Sequence, residues 1–276
     1  MRLSTASIDG AQVPVLEQDG RWLPVACPVG ATLVDLIAAG EPLTPRAGAA
    51  TVSAEDLVAP LRPGKLVAIG LNYMDHVRET GLPVPAQPLV FAKFTTSVIG
   101  NGAAITFDRA ITERVDWEVE LAVVVGRTMR DVPEAEALAH VFGYTVANDV
   151  SARDVQFGDV QWVRGKSLDT FCPLGPAVVT ADEIADPQRL ELHTRVNGES
   201  VQRSSTSEMI FGVAELLAFC SRSFTLEPGD VLLTGTPWGC GEFMDPQRSL
   251  HDGDVVEVEV EHIGLLSNPV RELSAA

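Results

Sequence analysis

The sequence has few basic residues for its length. Only 20 of its 276 residues are Lys or Arg, against 38 Asp and Glu, and the formal net charge is −18. Binding to nucleic acid or to an anionic membrane requires clustered cations that neutralise phosphate, so this composition argues against both kinds of partner. A small anionic substrate needs only a few local cations and is compatible with the composition.

Cysteines and long apolar runs are also scarce. The four cysteines, Cys27, Cys172, Cys220 and Cys240, form no Cys-x-x-Cys pair, which excludes the usual zinc spacing and argues against a disulfide framework. No segment approaches the roughly 20 apolar residues of a membrane span. The first four residues lack the apolar core of a signal peptide. We therefore expect a cytoplasmic protein with reduced thiols.

The first 60 residues have the features of a small separate unit. Thr32 and Asp35 form a predicted capping box at the start of a short helix, which ends at Gly40. Residues 45–53 are rich in Ala, Gly and Thr and are a predicted linker. We find no chemical motif in this region. We therefore predict a small N-terminal α/β domain at residues 1–60, with a capping or dimer-supporting role, and a catalytic domain at residues 61–276.

The segment Val115–Leu121 alternates apolar with acidic residues, which predicts a β-strand. Asp116, Glu118 and Glu120 then share one face of the strand. Four apolar residues follow without interruption, which indicates that even the acidic face becomes covered. Carboxylates that approach each other on a covered face repel, so they need a proton or a cation. A hard divalent metal ion is one solution.

Acidic residues that simply face water produce the same alternation, and acidic residues are rarely buried. The segment Val256–Glu261 has the same spacing, and nothing around it indicates a site. The alternation therefore does not separate the two interpretations. A metal site near Glu118 has to be supported by residues from elsewhere in the chain.

His76 and Glu79 lie three residues apart in a predicted short helix, so they are neighbours on one helical face. A carboxylate beside an imidazole orients the ring and raises its basicity, as a general base requires. An exposed pair on a surface turn has the same spacing. Both interpretations stay open on the spacing alone.

Three further features have two interpretations each. Asp149 ends a predicted buried strand, where it can meet Glu118 and Glu120 or cap the following turn. Lys166 follows a glycine in a polar loop and is either an anion-binding group or a solvated surface lysine. The Gly-rich segment Gly235–Gly241 is either a cradle of backbone N–H groups for a ligand or a plain turn.

Taken in order, these segments resemble the fumarylacetoacetate hydrolase superfamily, from about Lys65 to the C-terminus. The resemblance is carried by Gly70-Leu71-Asn72-Tyr73 with His76 and Glu79, Asp116-Trp117-Glu118-Val119-Glu120-Leu121, Gly143-Tyr144-Thr145-Val146-Ala147-Asn148-Asp149, Gly165-Lys166-Ser167, Pro173-Leu174-Gly175-Pro176, Val196-Asn197-Gly198-Glu199 and Thr234-Gly235-Thr236-Pro237. The order and spacing of these segments are specific, although no single segment is. The resemblance implies an α+β, β-rich fold, namely a mixed β-sheet roll or sandwich with flanking helices and a small N-terminal domain.

The resemblance also implies three groups of site residues. The implied ligands of one divalent cation per subunit, Mg²⁺ or Mn²⁺, are Glu118, Glu120 and Asp149. The implied catalytic residues are His76 and Glu79, which form a lid dyad, and Lys166, which stabilises negative charge on the substrate. The implied substrate contacts are Arg153, Gln156 and Thr236. Cys240 departs from the Val that the family more often carries there, and we expect it to affect only packing.

The resemblance points to the acylpyruvase and 2,4-diketo-3-deoxy acid hydrolase branch. It implies hydrolysis of a C–C bond in a 2,4-dioxo acid to a 2-oxo acid and a carboxylic acid, with His76 taking a proton from water. The same site supports oxaloacetate-type decarboxylation, and isomerisation or hydration of unsaturated 2-oxo acids. A third hypothesis is a metal-binding or ligand-binding protein without turnover. The implied partners are a small anionic 2-oxo acid as substrate and a second copy of the chain in a homodimer.

Overall fold

The structure, a computed structural model, describes residues 1–273 of the chain. The strands are β1 (Arg2–Ile8), β2 (Ala11–Gln18), β3 (Arg21–Pro24), β4 (Leu57–Val58), β5 (Leu66–Gly70), β6 (Leu89–Lys93), β7 (Val98–Ile99), β8 (Ile105–Phe107), β9 (Val115–Asp116), β10 (Val119–Val125), β11 (Val141–Asn148), β12 (Ser151–Ala152), β13 (Cys172–Thr180), β14 (Glu191–Val196), β15 (Glu199–Ser205), β16 (Val231–Leu233), β17 (Val255–Val260) and β18 (Gly264–Glu272). The α-helices are α1 (Leu33–Ala39), α2 (Met74–Thr80), α3 (Glu134–Ala137), α4 (Arg153–Gly158), α5 (Val163–Lys166) and α6 (Val213–Ser223).

Two large sheets form most of the fold. An 11-stranded sheet has the central order β3-β2-β1-β13-β11-β10-β16-β5-β6, with β4 and β7 paired to β1 and β13. A five-stranded sheet has the order β15-β14-β17-β18-β8, and β9 pairs with β12 in a short ribbon. Both large sheets mix parallel with antiparallel pairs. The predicted α+β, β-rich class with a mixed sheet is therefore confirmed.

Strand β10 lies at the centre of the larger sheet, and all seven of its residues are buried. Its side chains alternate between two apolar cores. Leu121 and Val123 belong to the core that includes Val258 of β17, whereas Ala122 and Val124 belong to a second core on the other face. The uninterrupted apolar run after Glu120 thus follows from cover on both faces.

The N-terminal region extends the larger sheet, because β1 pairs antiparallel with β13. Helix α1 begins with the predicted capping box, in which Thr32 Oγ1 accepts from Asp35 N at 3.2 Å and Asp35 Oδ2 accepts from Thr32 N at 2.8 Å. The helix ends at Gly40, whose φ of 65° is left-handed. These local predictions are confirmed, while the division into domains at residue 60 stays a prediction.

The predicted strand across Val115–Leu121 is interrupted between β9 and β10. Asn148 Oδ1 accepts a hydrogen bond from Glu118 N at 3.0 Å, so a side chain replaces a backbone partner at the break. Asp149 N in turn donates to Glu118 O at 2.9 Å. These bonds hold the end of β11 against the start of β10. Within residues 1–273, no helix is long and apolar enough to cross a membrane.

Candidate metal centre and active site

Three carboxylates from two neighbouring strands meet at the interruption before β10. Glu118 lies in the interruption, Glu120 is on β10, and Asp149 follows β11 directly. Each offers an oxygen within 4.8 Å of the others, and all three side chains are buried. The antiparallel register explains this, because Glu120 pairs with Ala147 and so lies beside the end of β11. These are the residues predicted as metal ligands.

The electrostatics of the three carboxylates favour a bound cation. Burial raises the pKa of Glu120 well above its usual value, and repulsion from Asp149 and Glu118 raises it further. Within the described part of the chain, no ion pair reaches Glu120, and its recorded partner is the Gly235 N–H at 2.6 Å. Three converging oxygen ligands without sulfur or nitrogen suit a hard divalent ion. The donor set therefore fits Mg²⁺ or Mn²⁺.

Lys166 is the predicted cation beside these carboxylates, and it is 2% exposed. Its Nζ lies 2.9 Å from Glu118 Oε2 and 2.8 Å from Asp149 Oδ2. Burial alone would lower the pKa of Lys166, but Asp149 and Glu118 raise it above its usual value. Burial would likewise raise the pKa of Glu118, but Lys166 and Arg153 lower it to about 2. Lys166 is thus a charged group of the site and not a solvated surface lysine.

Lys93 is a second buried cation at the site, and the sequence reasoning missed it. Its Nζ donates to Asp149 Oδ1 at 2.5 Å and to Val150 O at 3.2 Å, and its side chain has no exposure. Lys93 sits on β6, where it shares the inward face with Phe91. That alternation was the available signal, because a lysine in phase with a buried aromatic residue needs a buried partner.

Arg153 is the third buried cation at the site, after Lys166 and Lys93. Its Nε donates to Asp116 Oδ2 at 2.8 Å, and its Nη1 donates to Gln156 Oε1 at 3.0 Å and lies 2.7 Å from Glu118 Oε1. Its Nη2 lies 2.8 Å from Asp116 but has no acceptor in hydrogen-bonding geometry within residues 1–273. A buried donor without an acceptor is costly, so Nη2 is suited to receive a ligand oxygen.

Asp116 lies outside the metal-ligand group and holds other site residues in place. Besides binding Arg153, it accepts backbone hydrogen bonds from Gly241 N at 2.8 Å and Glu242 N at 3.1 Å. One carboxylate therefore fixes both a cation of the site and the loop that follows β16. Asp116 shares the predicted acidic face with Glu118 and Glu120, but its contacts are with Arg153 and the backbone of this loop.

The Gly-rich segment after β16 contacts the acidic group directly. Gly235 has a left-handed φ of 93°, and a Cβ there would lie 2.9 Å from Asn72 Cβ, so the position requires glycine. The Gly235 N–H binds Glu120, and the next residue presents Thr236 Oγ1, which accepts from Gln202 Nε2 at 3.0 Å. The N–H groups of Gly235, Gly239 and Gly241 thus bind protein carboxylates, and a cradle for a ligand at this segment stays a prediction.

His76 and Glu79 form a pair in the structure, with His76 Nδ1 2.7 Å from Glu79 Oε2. Glu79 Oε1 also accepts from Gly239 N at 2.8 Å, which ties helix α2 to the loop after β16. The edge of Phe243 packs against the imidazole with ring centroids 5.3 Å apart. His76 is 7% exposed, so the interpretation as an exposed surface pair does not apply.

A cavity of 420 Å³ opens onto this region. The predicted site residues in its lining are His76, Glu118, Arg153, Gln156, Lys166 and Thr236. Of the others, Glu79 binds His76, Asp149 binds Lys166, and Glu120 has an oxygen within 4.8 Å of Glu118. The structure brings the predicted residues together, while their roles stay predictions.

The family model described as fumarylacetoacetate (FAA) hydrolase C-terminal matches residues 65–271. The mitochondrial oxaloacetate tautomerase fahd2 of Xenopus laevis is 49% identical over 217 residues, which cover 78% of this chain and 68% of that protein. The mitochondrial oxaloacetate tautomerase FAHD2A of Homo sapiens is 46% identical over 237 residues, covering 85% and 73%. Because both relatives are named as mitochondrial, the cytoplasmic location stays a prediction.

Solved structures match almost the whole chain. A fumarylacetoacetate hydrolase from Exiguobacterium antarcticum has a TM-score of 0.91 at 39% identity, covering 99% of this chain and 100% of that one. A 5-carboxymethyl-2-hydroxymuconate delta-isomerase from Mycobacterium smegmatis has a TM-score of 0.83 at 39% identity, with the same coverage. The chain is therefore an enzyme of the fumarylacetoacetate hydrolase family, as the order of its motifs predicted.

Proposed function

We propose that this enzyme catalyses proton transfer at C3 of a small 2-oxo acid, which interconverts its keto and enol forms or shifts a double bond. Relatives that are 46–49% identical are named oxaloacetate tautomerase, and solved relatives are named isomerases. These names favour the lyase or isomerase alternative over the hydrolysis that the resemblance first implied. Hydrolysis of a 2,4-dioxo acid becomes the second candidate.

The arrangement of His76 carries this proposal. Glu79 engages Nδ1 of the imidazole, so Nε2 is the ring nitrogen available for proton exchange with a ligand. His76 lines the same cavity as Lys166 and Arg153. A 2-oxo acid held by these cations places its C3 within the cavity that the imidazole faces. His76 then removes the C3 proton and delivers a proton to the enolate oxygen or, for a double-bond shift, to the far carbon of the conjugated system, with Glu79 holding the ring orientation.

The residues around the carboxylate group define how an acid binds. Glu118, Glu120 and Asp149 would hold one Mg²⁺ or Mn²⁺, which would withdraw electron density from the oxygens of the acid and so acidify its C3–H. Lys166 stabilises the negative charge that develops on the enolate oxygen. Arg153 Nη2 donates to the substrate carboxylate, and Gln156, which binds Arg153 Nη1, keeps the guanidinium oriented.

The charges at the site set the order of binding. Four buried carboxylates, with Asp116 as the fourth, lie beside three buried cations, Lys93, Arg153 and Lys166. The raised pKa of Glu120 favours its protonated form in the metal-free site, which then carries no excess charge, whereas a bound divalent cation with all four carboxylates ionised leaves one excess positive charge to attract an anion. We therefore expect the acid to bind only in the presence of the cation.

The second candidate uses the same residues. A relative with a TM-score of 0.91 is named a fumarylacetoacetate hydrolase. In hydrolysis, His76 Nε2 takes its proton from a water molecule, and that water attacks the distal carbonyl carbon of a 2,4-dioxo acid. Both candidates therefore require the same base and differ in the group that gives up the proton.

Proton NMR in D₂O with Mg²⁺ separates the candidates. With 2-oxobutanoate, we expect loss of the C3 proton signal, because deuterium replaces hydrogen without cleavage. Acetate released from acetylpyruvate would instead support hydrolysis, and pyruvate formed from oxaloacetate would support decarboxylation. The absence of C3 exchange above the rate without enzyme would contradict the proposal. The homodimer belongs to the same proposal, and light scattering after size exclusion tests it.

A further inference from the structure

The candidate cavity has two chemically different regions. The residues of its buried region are at most 7% exposed, and they include His76, Arg153 and Lys166. Its outer region is lined by the apolar side chains of Leu82, Pro85, Leu89, Phe157 and Trp162, together with the polar Thr80 and Gln87. Leu82, Leu89 and Phe157 are 55%, 45% and 54% exposed, so these apolar side chains form the rim toward solvent. Exposed apolar groups that gather around a polar site are typical of ligand-binding surfaces.

One wall of this outer region is rigid. The Trp162 ring meets the edge of Phe91, with centroids 5.5 Å apart and planes at 72°. Trp162 also lies directly on Gly70, where a Cβ would come within 2.4 Å of the ring. Because the Trp162 ring packs between Phe91 and Gly70, it is ordered before a ligand binds. Such preorganisation lowers the entropic cost of binding an apolar group.

The outer region has no cation to receive a second carboxylate. Within residues 1–273, the cations in the cavity lining are Arg153 and Lys166, and both belong to the buried region. Arg164, on the neighbouring helix α5, is outside the lining and is paired with Asp159 through two hydrogen bonds of 2.7 and 2.6 Å. A carboxylate among these apolar side chains would have only neutral polar groups such as Gln87 as partners, so no cation offsets its loss of hydration.

We propose that the outer region selects 2-oxo acids that carry one carboxylate and an uncharged, apolar distal group. This inference rests on the proposed function, because it takes the 2-oxo acid end to lie in the buried region. The proposed substrate differs from those in the names of two relatives, because oxaloacetate and 2-hydroxyhepta-2,4-diene-1,7-dioate are both diacids.

Calorimetric binding of a matched pair of acids to the Mg²⁺-loaded protein tests the proposal. The acids are 2-oxohexanoate and 2-oxohexanedioate, which have the same carbon chain and differ in a terminal methyl or carboxylate group. We expect the monoacid to bind at least tenfold more tightly. Equal affinity, preference for the diacid, or no binding of either acid would overturn the inference. C3 exchange, measured separately by NMR, tests the proposed function, so the two failures are distinguishable.

A variant with a cation at the rim sharpens the test. Leu89→Arg places a guanidinium in the outer region, and we expect the preference for the monoacid to fall at least tenfold or to reverse. Val160→Arg is the matched control, because the substitution adds the same charge at a residue that is fully exposed and outside the cavity lining. We expect this control to keep the wild-type preference. An equal loss of preference in both variants would show long-range attraction of the diacid and would contradict selection by the apolar rim.

Discussion

Strand β17 and the segment Glu118–Leu121, which runs into β10, both alternate acidic with apolar residues, but their carboxylates lie in opposite environments. On β17, Val256 and Val258 are buried, while Glu257 and Glu259 remain partly exposed on the outer face. Glu259 pairs with Arg195 at 2.9 Å, and both side chains keep contact with solvent. On β10, Glu120 is 1% exposed and has no such solvent-screened partner.

The position of each strand in its sheet explains this difference. Strand β17 lies in the five-stranded sheet, and its alternation separates a core face from a solvent face. Strand β10 lies between β11 and β16 and packs against a core on each side. The comparison shows that an acidic alternation indicates a site only where both faces are covered. The run Ala122–Val125 after Glu120 carries that information, and β17 has no such run after Glu259.

The sharpest test of the comparison replaces the acids of each strand. We expect Glu118→Gln with Glu120→Gln to abolish both activity and the rise in melting temperature caused by Mg²⁺, because two of the three ligand carboxylates are removed. In the parent protein, Mg²⁺ at 100 times its Kd should stabilise the fold by about 2.7 kcal/mol. Thermal melting with Mg²⁺ and with EDTA measures the effect.

The matched control is Glu257→Gln with Glu259→Gln on β17. It removes the same two charges from the same alternation, and we expect the Mg²⁺-induced rise to remain. If both double variants keep the rise, the metal site does not involve β10. If both lose it, the effect reflects net charge and not coordination.

A second test concerns the base near β10. His76→Gln removes the imidazole, so we expect kcat for C3 exchange to fall by about 10²–10⁴. His76 is not one of the three candidate metal ligands, so the Mg²⁺-induced rise in melting temperature should persist. A variant with unchanged kcat would assign proton transfer to another group. Loss of the Mg²⁺ response would show that His76 supports the metal site instead.

A third test compares the cation partner of each region. Lys93→Met leaves Asp149 Oδ1 without its buried partner, and we expect the metal-free protein to lose about 3–5 kcal/mol of its free energy of unfolding. Arg195→Met breaks the partly exposed pair with Glu259 on β17 and should cost about 0–1 kcal/mol. Urea unfolding of both variants in EDTA measures the difference. Equal losses would mean that burial does not distinguish the two pairs.

The sequence predicted those parts of the site that depend on local pattern and on the order of motifs. The capping box at Thr32, the family and the β-rich class are confirmed. The sequence missed Lys93, whose partner Asp149 is 56 residues away along the chain. It also missed how Asp116 binds Arg153 and the loop after β16. Such contacts depend on which strands become neighbours, and alternation within one strand does not specify that.

The last test uses pH to distinguish the protonation of Glu120 from that of Glu118. The pKa of Glu120 is raised by burial and by its acidic neighbours, so the metal-free fold binds a proton there more tightly than the unfolded chain does. Its stability should therefore rise as the pH falls through that raised pKa, at pH values above the usual 4.5 of a glutamate. Glu118, whose pKa is lowered to about 2, stays ionised across this window and contributes no slope.

Mg²⁺ must displace the proton on Glu120, so its affinity should fall as the pH falls, by up to about tenfold per pH unit. Calorimetry in two buffers with different ionisation enthalpies should detect proton release on binding. His76→Gln is the control, because it removes the imidazole but none of the three carboxylates and should keep the same pH dependence. An Mg²⁺ affinity that is constant from pH 6 to 8 would mean that Glu120 is already ionised in the metal-free protein. The positive charges of Lys93, Lys166 and Arg153 would then outweigh repulsion among Glu118, Glu120 and Asp149, and that repulsion would not be what distinguishes this site from β17.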